Sequence, residues 1–140
     1  MTKKINVHRG SCLCGGVEVA IHGDFEQFVC CHCERCQKGT GSAHGANLFA
    51  SGARIEWLSG AELVTTFQVP ETRHVRSFCS TCGSAMPHAS GEQFVMVPAG
   101  CLDTPTDILP TMHIFCSERA TWEDALARAP RFEALPSRGS

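Results

Sequence analysis

The chain has 140 residues, 43% of them hydrophobic and 19% charged, the length and balance of one globular domain with a modest core. Its formal net charge is −2, and the basic residues are scattered from Lys3 to Arg138, which excludes the basic stripe that non-specific nucleic-acid binding needs. The opening MTKKINVHRGSC has no apolar h-region and no window approaches the roughly eighteen apolar residues of a membrane span, so neither export nor a membrane is expected and the reading is cytoplasmic.

From Gly15 to Gly23, GGVEVAIHG alternates Val17, Val19 and Ile21 against Glu18, Ala20 and His22, which predicts a half-buried strand bounded by glycines. FEQFVCC, ANLFA, ARIEWL, ELVTTFQV, HVRSFC, EQFVMVPAG and TMHIF follow as short β-branched or aromatic runs between turn residues. The pattern is mainly β. The single helical candidate is ERATWEDALARA, where Trp122, Ala125, Leu126 and Ala129 share one face, Thr121 would cap the first turn and Pro130 ends it. No repeat, low-complexity tract or linker divides the chain, so a single domain over 1–136 is expected, with a small polar tail over 137–140 that is flexible.

Ten cysteines dominate the composition. In a reducing compartment thiols stay reduced unless a metal or a reaction uses them, and the tight C-x-C and C-x-x-C spacings favour metal over a disulfide scaffold. Three groups stand out: Cys12 and Cys14 in GSCLCGG, Cys31, Cys33 and Cys36 in CCHCERC, and Cys79 and Cys82 in FCSTCGS. Two such turns complete a closed tetrahedral sulfur site of the structural-zinc type, and the glycines after Cys14 and Cys82 suit ligand loops that need φ > 0. Pairing Cys12 and Cys14 with Cys79 and Cys82 clips the first strand to the middle of the chain. It leaves Cys31, Cys33 and Cys36 to offer three sulfurs and an open fourth position, the description of a catalytic zinc site. A competing partition joins Cys33 and Cys36 to Cys79 and Cys82 in a zinc ribbon.

Charge indicates what an open site of this kind does. Three thiolates on Zn²⁺ leave a net −1 centre, a poor activator of water but a good host for a fourth, exogenous thiolate. A thiolate is a nucleophile whose natural electrophile is a small carbonyl compound.

GSCLCGGVEV, VCCHCERCQK, SFCSTCGSAM, VPAGCLD and HIFCSERATW together resemble the motifs of the glutathione-dependent formaldehyde-activating family, also called GFA or centromere protein V-like. The resemblance implies an Mss4-like (β-tent) zinc-binding fold, mainly β with one short C-terminal helix. It implies two zinc ions per chain, a structural one on Cys12, Cys14, Cys79 and Cys82 and a catalytic, labile one on Cys31, Cys33 and Cys36. The implied activity is a carbon–sulfur lyase reaction run as a synthase: glutathione, or a similar small thiol, adds reversibly to formaldehyde or a related aldehyde to give S-(hydroxymethyl)glutathione. Two other readings stay open, a non-catalytic zinc-dependent binding module and a thiol redox or metal sensor.

Other residues carry weaker expectations. Cys30, Cys101 and Cys116 read as buried small hydrophobes. Cys116 also admits the C-terminal nucleophile of B-type methionine sulfoxide reductases, although HIFCSERA lacks their signature. His32 is expected at the surface or beside the metal rather than on it, while His44, His88 and His113 are expected half-buried, one of them a candidate proton carrier. Arg35, Arg73 and Arg76 read as solvated charges; if the thiol is glutathione, its carboxylates need cationic partners, and Arg35 is the nearest of the three in sequence to the three-cysteine motif.

Overall fold

The computed structural model describes residues 6–91 and 94–136; the expected tail over 137–140 and Glu92 and Gln93 of the EQFVMVPAG strand lie outside the described residues. In chain order the strands are β1 (Val7–Ser11), β2 (Glu18–His22), β3 (Gln27–Cys31), β4 (Gly45–Ser51), β5 (Arg54–Ser59) and β6 (Val64–Gln68). They continue as β7 (Val75–Cys79), β8 (Ala85–Met86), β9 (His88–Ala89), β10 (Phe94–Pro98) and β11 (Met112–Ile114). Among the described residues one α-helix, α1 (Glu34–Thr40), stands between β3 and β4.

The strands pair into three sheets, ordered β1-β2-β5, β11-β3-β4-β10-β9 and β6-β7-β8. Every pair is antiparallel except β11 with β3, which sets Ile114 opposite Cys31 and His113 opposite Cys30. The fold is mainly β, with the cysteine clusters of a zinc-binding architecture.

Val17, Val19 and Ile21 are fully buried, as their alternation predicts, and they join Leu48 and Ala50 of β4, Val95 and Val97 of β10 and Met86 of β8 in one core. Each large aliphatic side chain so buried contributes about 1.5–3 kcal/mol of transfer free energy. The other face of β2 is not fully solvated: Ala20 is buried too. Cys12 and Cys79 belong to the same core, so one sulfur cluster grows directly out of the packed interior.

Besides the two-residue strands β8 and β9, β1 and α1 have no forecast in the sequence. β1 reads VHRGS and buries His8 and Gly10 rather than alternating aliphatics, and its pairing with β2 is what makes it a strand. Helix α1 buries no residue and therefore has no apolar period. It is held by its ends, where the Cys36 N–H donates to the Cys33 sulfur at the N-cap and Gly41, at φ 66°, returns its N–H to Gln37 O.

The C-terminal helix is present over Glu123–Arg128, but as a 3₁₀ helix that follows Trp122 with no side-chain cap, so Thr121 does not play that role. Its shared apolar face finds no covering layer: Trp122 is 52% exposed and Leu126 48% exposed. Without burial to reward α geometry, the segment keeps short-range bonds such as Ala125 N–H to Trp122 O. The helices of the described residues include none long and apolar enough to cross a membrane.

Candidate metal centres and the cavity between them

The turn after β1 carries Cys12 and Cys14, Cys79 ends β7, and the turn from β7 to β8 carries Cys82. Their four sulfurs all lie within 4.8 Å of one another, with Cys12 to Cys14 at 3.5 Å and Cys14 to Cys79 at 3.9 Å. A metal–sulfur bond of about 2.3 Å gives a regular tetrahedron an edge of about 3.8 Å, so the separations fit one thiophilic ion. Both turns close through glycine in the left-handed region, Gly15 at φ 79° and Gly83 at φ 78°. Ser84 ties the loops together: its hydroxyl lies 3.2 Å from the Cys82 sulfur and accepts the Leu13 N–H at 2.8 Å.

These surroundings prepare thiolates. The Ser84 hydroxyl and then the Ser84 and Cys14 backbone N–H groups lower Cys82 to about 5. At Cys12, burial opposes ionisation, but the Val17 N–H and the neighbouring sulfurs outweigh it and bring the thiol below its ordinary value. Cys14 goes the other way: the Gly16 N–H favours its thiolate, yet the adjacent Cys12 sulfur and burial push it up to about 11. A cation held by this cluster would displace the protons that its thiols still carry.

The second cluster is built by three successive structural events. Cys31 ends β3, Cys33 caps α1 and Cys36 stands in its first turn, and the three sulfurs lie within 4.8 Å of one another, Cys31 to Cys33 at 3.5 Å. Burial leads in raising Cys31 and, far more strongly, Cys36, whose neighbours Cys31 and Cys33 add to the shift. At Cys33 burial also acts upward, but the Cys36 N–H and the flanking sulfurs lower the thiol overall. The two sulfur clusters are separate, so the fold does not assemble the ribbon of Cys33, Cys36, Cys79 and Cys82.

A cavity of about 780 Å³ runs between the clusters, with Cys36 at one side and Cys12 at the other. Its wall includes Arg35, His44, Asn47, His74, Arg76 and Asp103. The volume lies within the range of small-molecule sites, about 300–1,000 Å³.

Three histidines gather beside the three-cysteine turn. His32 is buried at 2% exposure, its Nε2 lies 2.8 Å from His113 Nδ1, and its ring centroid is 5.1 Å from that of His44. Burial first, with smaller opposing and supporting charges, lowers the His32 pKa and keeps the ring neutral. Its Nδ1 has no hydrogen-bond partner, with a Glu123 oxygen 3.9 Å away. His113 is exposed rather than half-buried, whereas His44 and His88 are half-buried. Gln37 fastens the C-terminal segment over α1, its amide donating to His32 O at 2.7 Å and Glu118 O at 2.9 Å.

The remaining cysteines divide. Cys30 and Cys101 are buried, and burial raises both thiols, Cys101 to about 12. Cys116 is exposed at a 3₁₀ turn and does not serve as core.

The profile of the family described as glutathione-dependent formaldehyde-activating enzyme matches residues 7–118, a span that contains both sulfur clusters. The chain belongs to this family. It is also similar to a solved structure of a Rhodobacter sphaeroides protein, at 25% identity and a TM-score of 0.50, covering 75% of this chain and 98% of that one. For a member of the formaldehyde-activating family, the donor sets fit the expected metal: sulfur ligands in a four and a three, at tetrahedral spacing, with all ten cysteines free of disulfides.

Sequence reasoning missed the cavity wall on β7, where Arg76 stands, and the contact of His113 with His32. The first joins residues from separate sheets, and the second depends on the parallel pairing of β11 with β3, which has no local signature.

Proposed function

We propose that this chain is a zinc-dependent enzyme that adds glutathione, or a similar small thiol, reversibly to formaldehyde or a related small aldehyde. One observation carries the reading: a three-sulfur cluster, one ligand short of a closed tetrahedron, has its Cys36 on the wall of a cavity of about 780 Å³. Cys12, Cys14, Cys79 and Cys82 would hold a structural zinc, and Cys31, Cys33 and Cys36 a catalytic one. A zinc ion on these three sulfurs supplies a position at which a thiol is held as its anion.

The chain's own residues supply the rest. His44 lines the cavity, and its Nδ1 lies 3.3 Å from Gly45 O. A carbonyl only accepts, so Nδ1 carries the proton and Nε2 of the neutral ring is left as an acceptor. Nε2 takes the thiol proton, the sulfur lone pair forms the bond to the aldehyde carbon, and the carbonyl π pair moves onto oxygen. The same nitrogen returns its proton to that oxygen, giving the neutral hemithioacetal, and the reverse path retraces these transfers. Buried His32, hydrogen-bonded to exposed His113, packs beside the His44 ring with centroids 5.1 Å apart.

Exchange spectroscopy on glutathione and formaldehyde tests the reading. Zinc-loaded protein should accelerate exchange between free aldehyde and S-(hydroxymethyl)glutathione, and Cys33→Ser should abolish the acceleration. Exchange no faster than in buffer, with both metals bound, would contradict it.

A further inference from the structure

The wall of the cavity nearest Cys36 carries two guanidinium groups, Arg35 from α1 and Arg76 from β7. Neither has a carboxylate within 4.0 Å among the described residues. His74, on the same wall, adds no charge at neutral pH, because burial and then the Arg35 charge lower its pKa. Among the described residues Asp103 is the one carboxylate on this wall, and it accepts a hydrogen bond from the Ser11 hydroxyl at 2.7 Å.

Arg76 is also positioned. Its guanidinium lies over the Phe78 ring, 5.4 Å from the centroid, and its stem crosses α1 at Gly39, where an added Cβ would stand 3.1 Å from Cδ and 3.2 Å from Nε. Glycine inside a helix is unfavourable relative to alanine, and here its missing side chain makes the crossing possible. Cys36 and Gly39 are three residues apart and share a face of α1, about 4.5 Å apart along the helix axis. The arginine therefore crosses the helix one turn beyond the sulfur.

Two like charges on one cavity wall, neither of them paired with a carboxylate, are unfavourable until an anion arrives, and a guanidinium fork matches a carboxylate with two parallel hydrogen bonds. We propose that Arg35 and Arg76 form a carboxylate clamp, so that the thiol accepted by this cavity is one carrying at least one carboxylate, held while its sulfur reaches the Cys36 end. The clamp rests on the reading of the cavity as a thiol site and names its specificity.

S-methylglutathione is the probe, because its capped sulfur cannot become a thiolate and its binding reports the clamp alone. Calorimetry on the zinc-loaded protein compares it with its dimethyl ester. Wild type should bind the acid at least about tenfold more tightly than the ester, as expected for charge-assisted bonds. Arg76→Gln and Arg35→Gln should each cut that preference, and Arg76→Lys should not restore it, since a point charge does not replace the fork. Lys38→Gln, which removes one exposed positive charge away from the cavity wall, should keep it. Arg35 is exposed, so its variant reports even if Arg76→Gln fails to fold.

Equal binding of acid and ester by wild type, or a preference unchanged in Arg35→Gln, overturns the clamp. Thiol–formaldehyde exchange separates this failure from that of the proposed reaction. A preserved acid preference without accelerated exchange upholds the clamp and removes the reaction. Exchange accelerated equally for glutathione and 2-mercaptoethanol, with no acid preference, does the reverse.

Discussion

Replacing Cys82 with serine should destabilise the whole fold, and the size of the effect follows from where the four-sulfur cluster lies. Cys14 and Cys79 are 65 residues apart, and their sulfurs are 3.9 Å apart in the cluster. Cross-linking a loop of that length removes chain entropy from the unfolded state worth about 4 kcal/mol. The total stability of a domain is about 5–15 kcal/mol, so a large share of it passes through this tether. Serine offers a hydroxyl where the cluster has its most acidic thiol, lowered to about 5 mainly by Ser84. With m-values of about 1–3 kcal/mol/M, losing the tether should lower the urea midpoint by roughly 2 M, and a chelator should bring wild type to a similar midpoint. The assay is urea unfolding followed by circular dichroism, with metal counted in parallel. A Cys82→Ser variant that keeps the wild-type midpoint and both metals would refute the assignment of this cluster as a structural tether.

Cys33→Ser should behave differently, remaining folded with a midpoint near that of wild type and about one metal fewer per chain, since its cluster is drawn from one short turn; elemental analysis beside a denaturation curve checks both. On acidification the three-cysteine cluster should lose its metal at the higher pH. It has one sulfur fewer to hold the ion, and burial raises two of its three thiols, Cys31 and Cys36, with Cys33 lowered, whereas in the four-sulfur cluster Cys12 and Cys82 are lowered and Cys14 is raised; a pH titration with a zinc indicator should show two releases, the second coincident with unfolding. Gly60→Ala should cost several times the ordinary glycine-to-alanine effect, since Gly60 sits at φ 73° and an added Cβ would stand 2.0 Å from Gly16 O, a backbone atom; a fall in Tm of about 10 °C or more is the expected reading.

The core and the ligand turns were legible because their signals are local. Val17, Val19 and Ile21 alternate over five residues, and Gly15 and Gly83 each follow the second cysteine of a ligand turn. The C-x-C and C-x-x-C spacings likewise marked which sulfurs each turn would present. The α-helix was hidden because its N-cap is a cysteine and it buries nothing, leaving neither the usual cap residue nor an apolar stripe to read. At the C-terminus the error ran the other way: Trp122, Ala125, Leu126 and Ala129 have helical spacing, but no layer covers them and the segment remains 3₁₀. The cavity was illegible in principle. Arg35, His44 and Arg76 meet only because α1 and strands of two different sheets face one space, and nothing in the local sequence around any of them records the other two.

The central claim is that the two sulfur clusters differ in closure, one complete and one open to a thiol. Cobalt(II)-loaded protein titrated with glutathione measures this directly, through the sulfur-to-metal charge-transfer band. The account predicts that the band grows with a stoichiometry of one glutathione per chain, and that the growth is lost in Cys33→Ser while the signal of the four-sulfur site persists. A spectrum with two cobalt ions bound that does not respond to glutathione or to any other small thiol would contradict it.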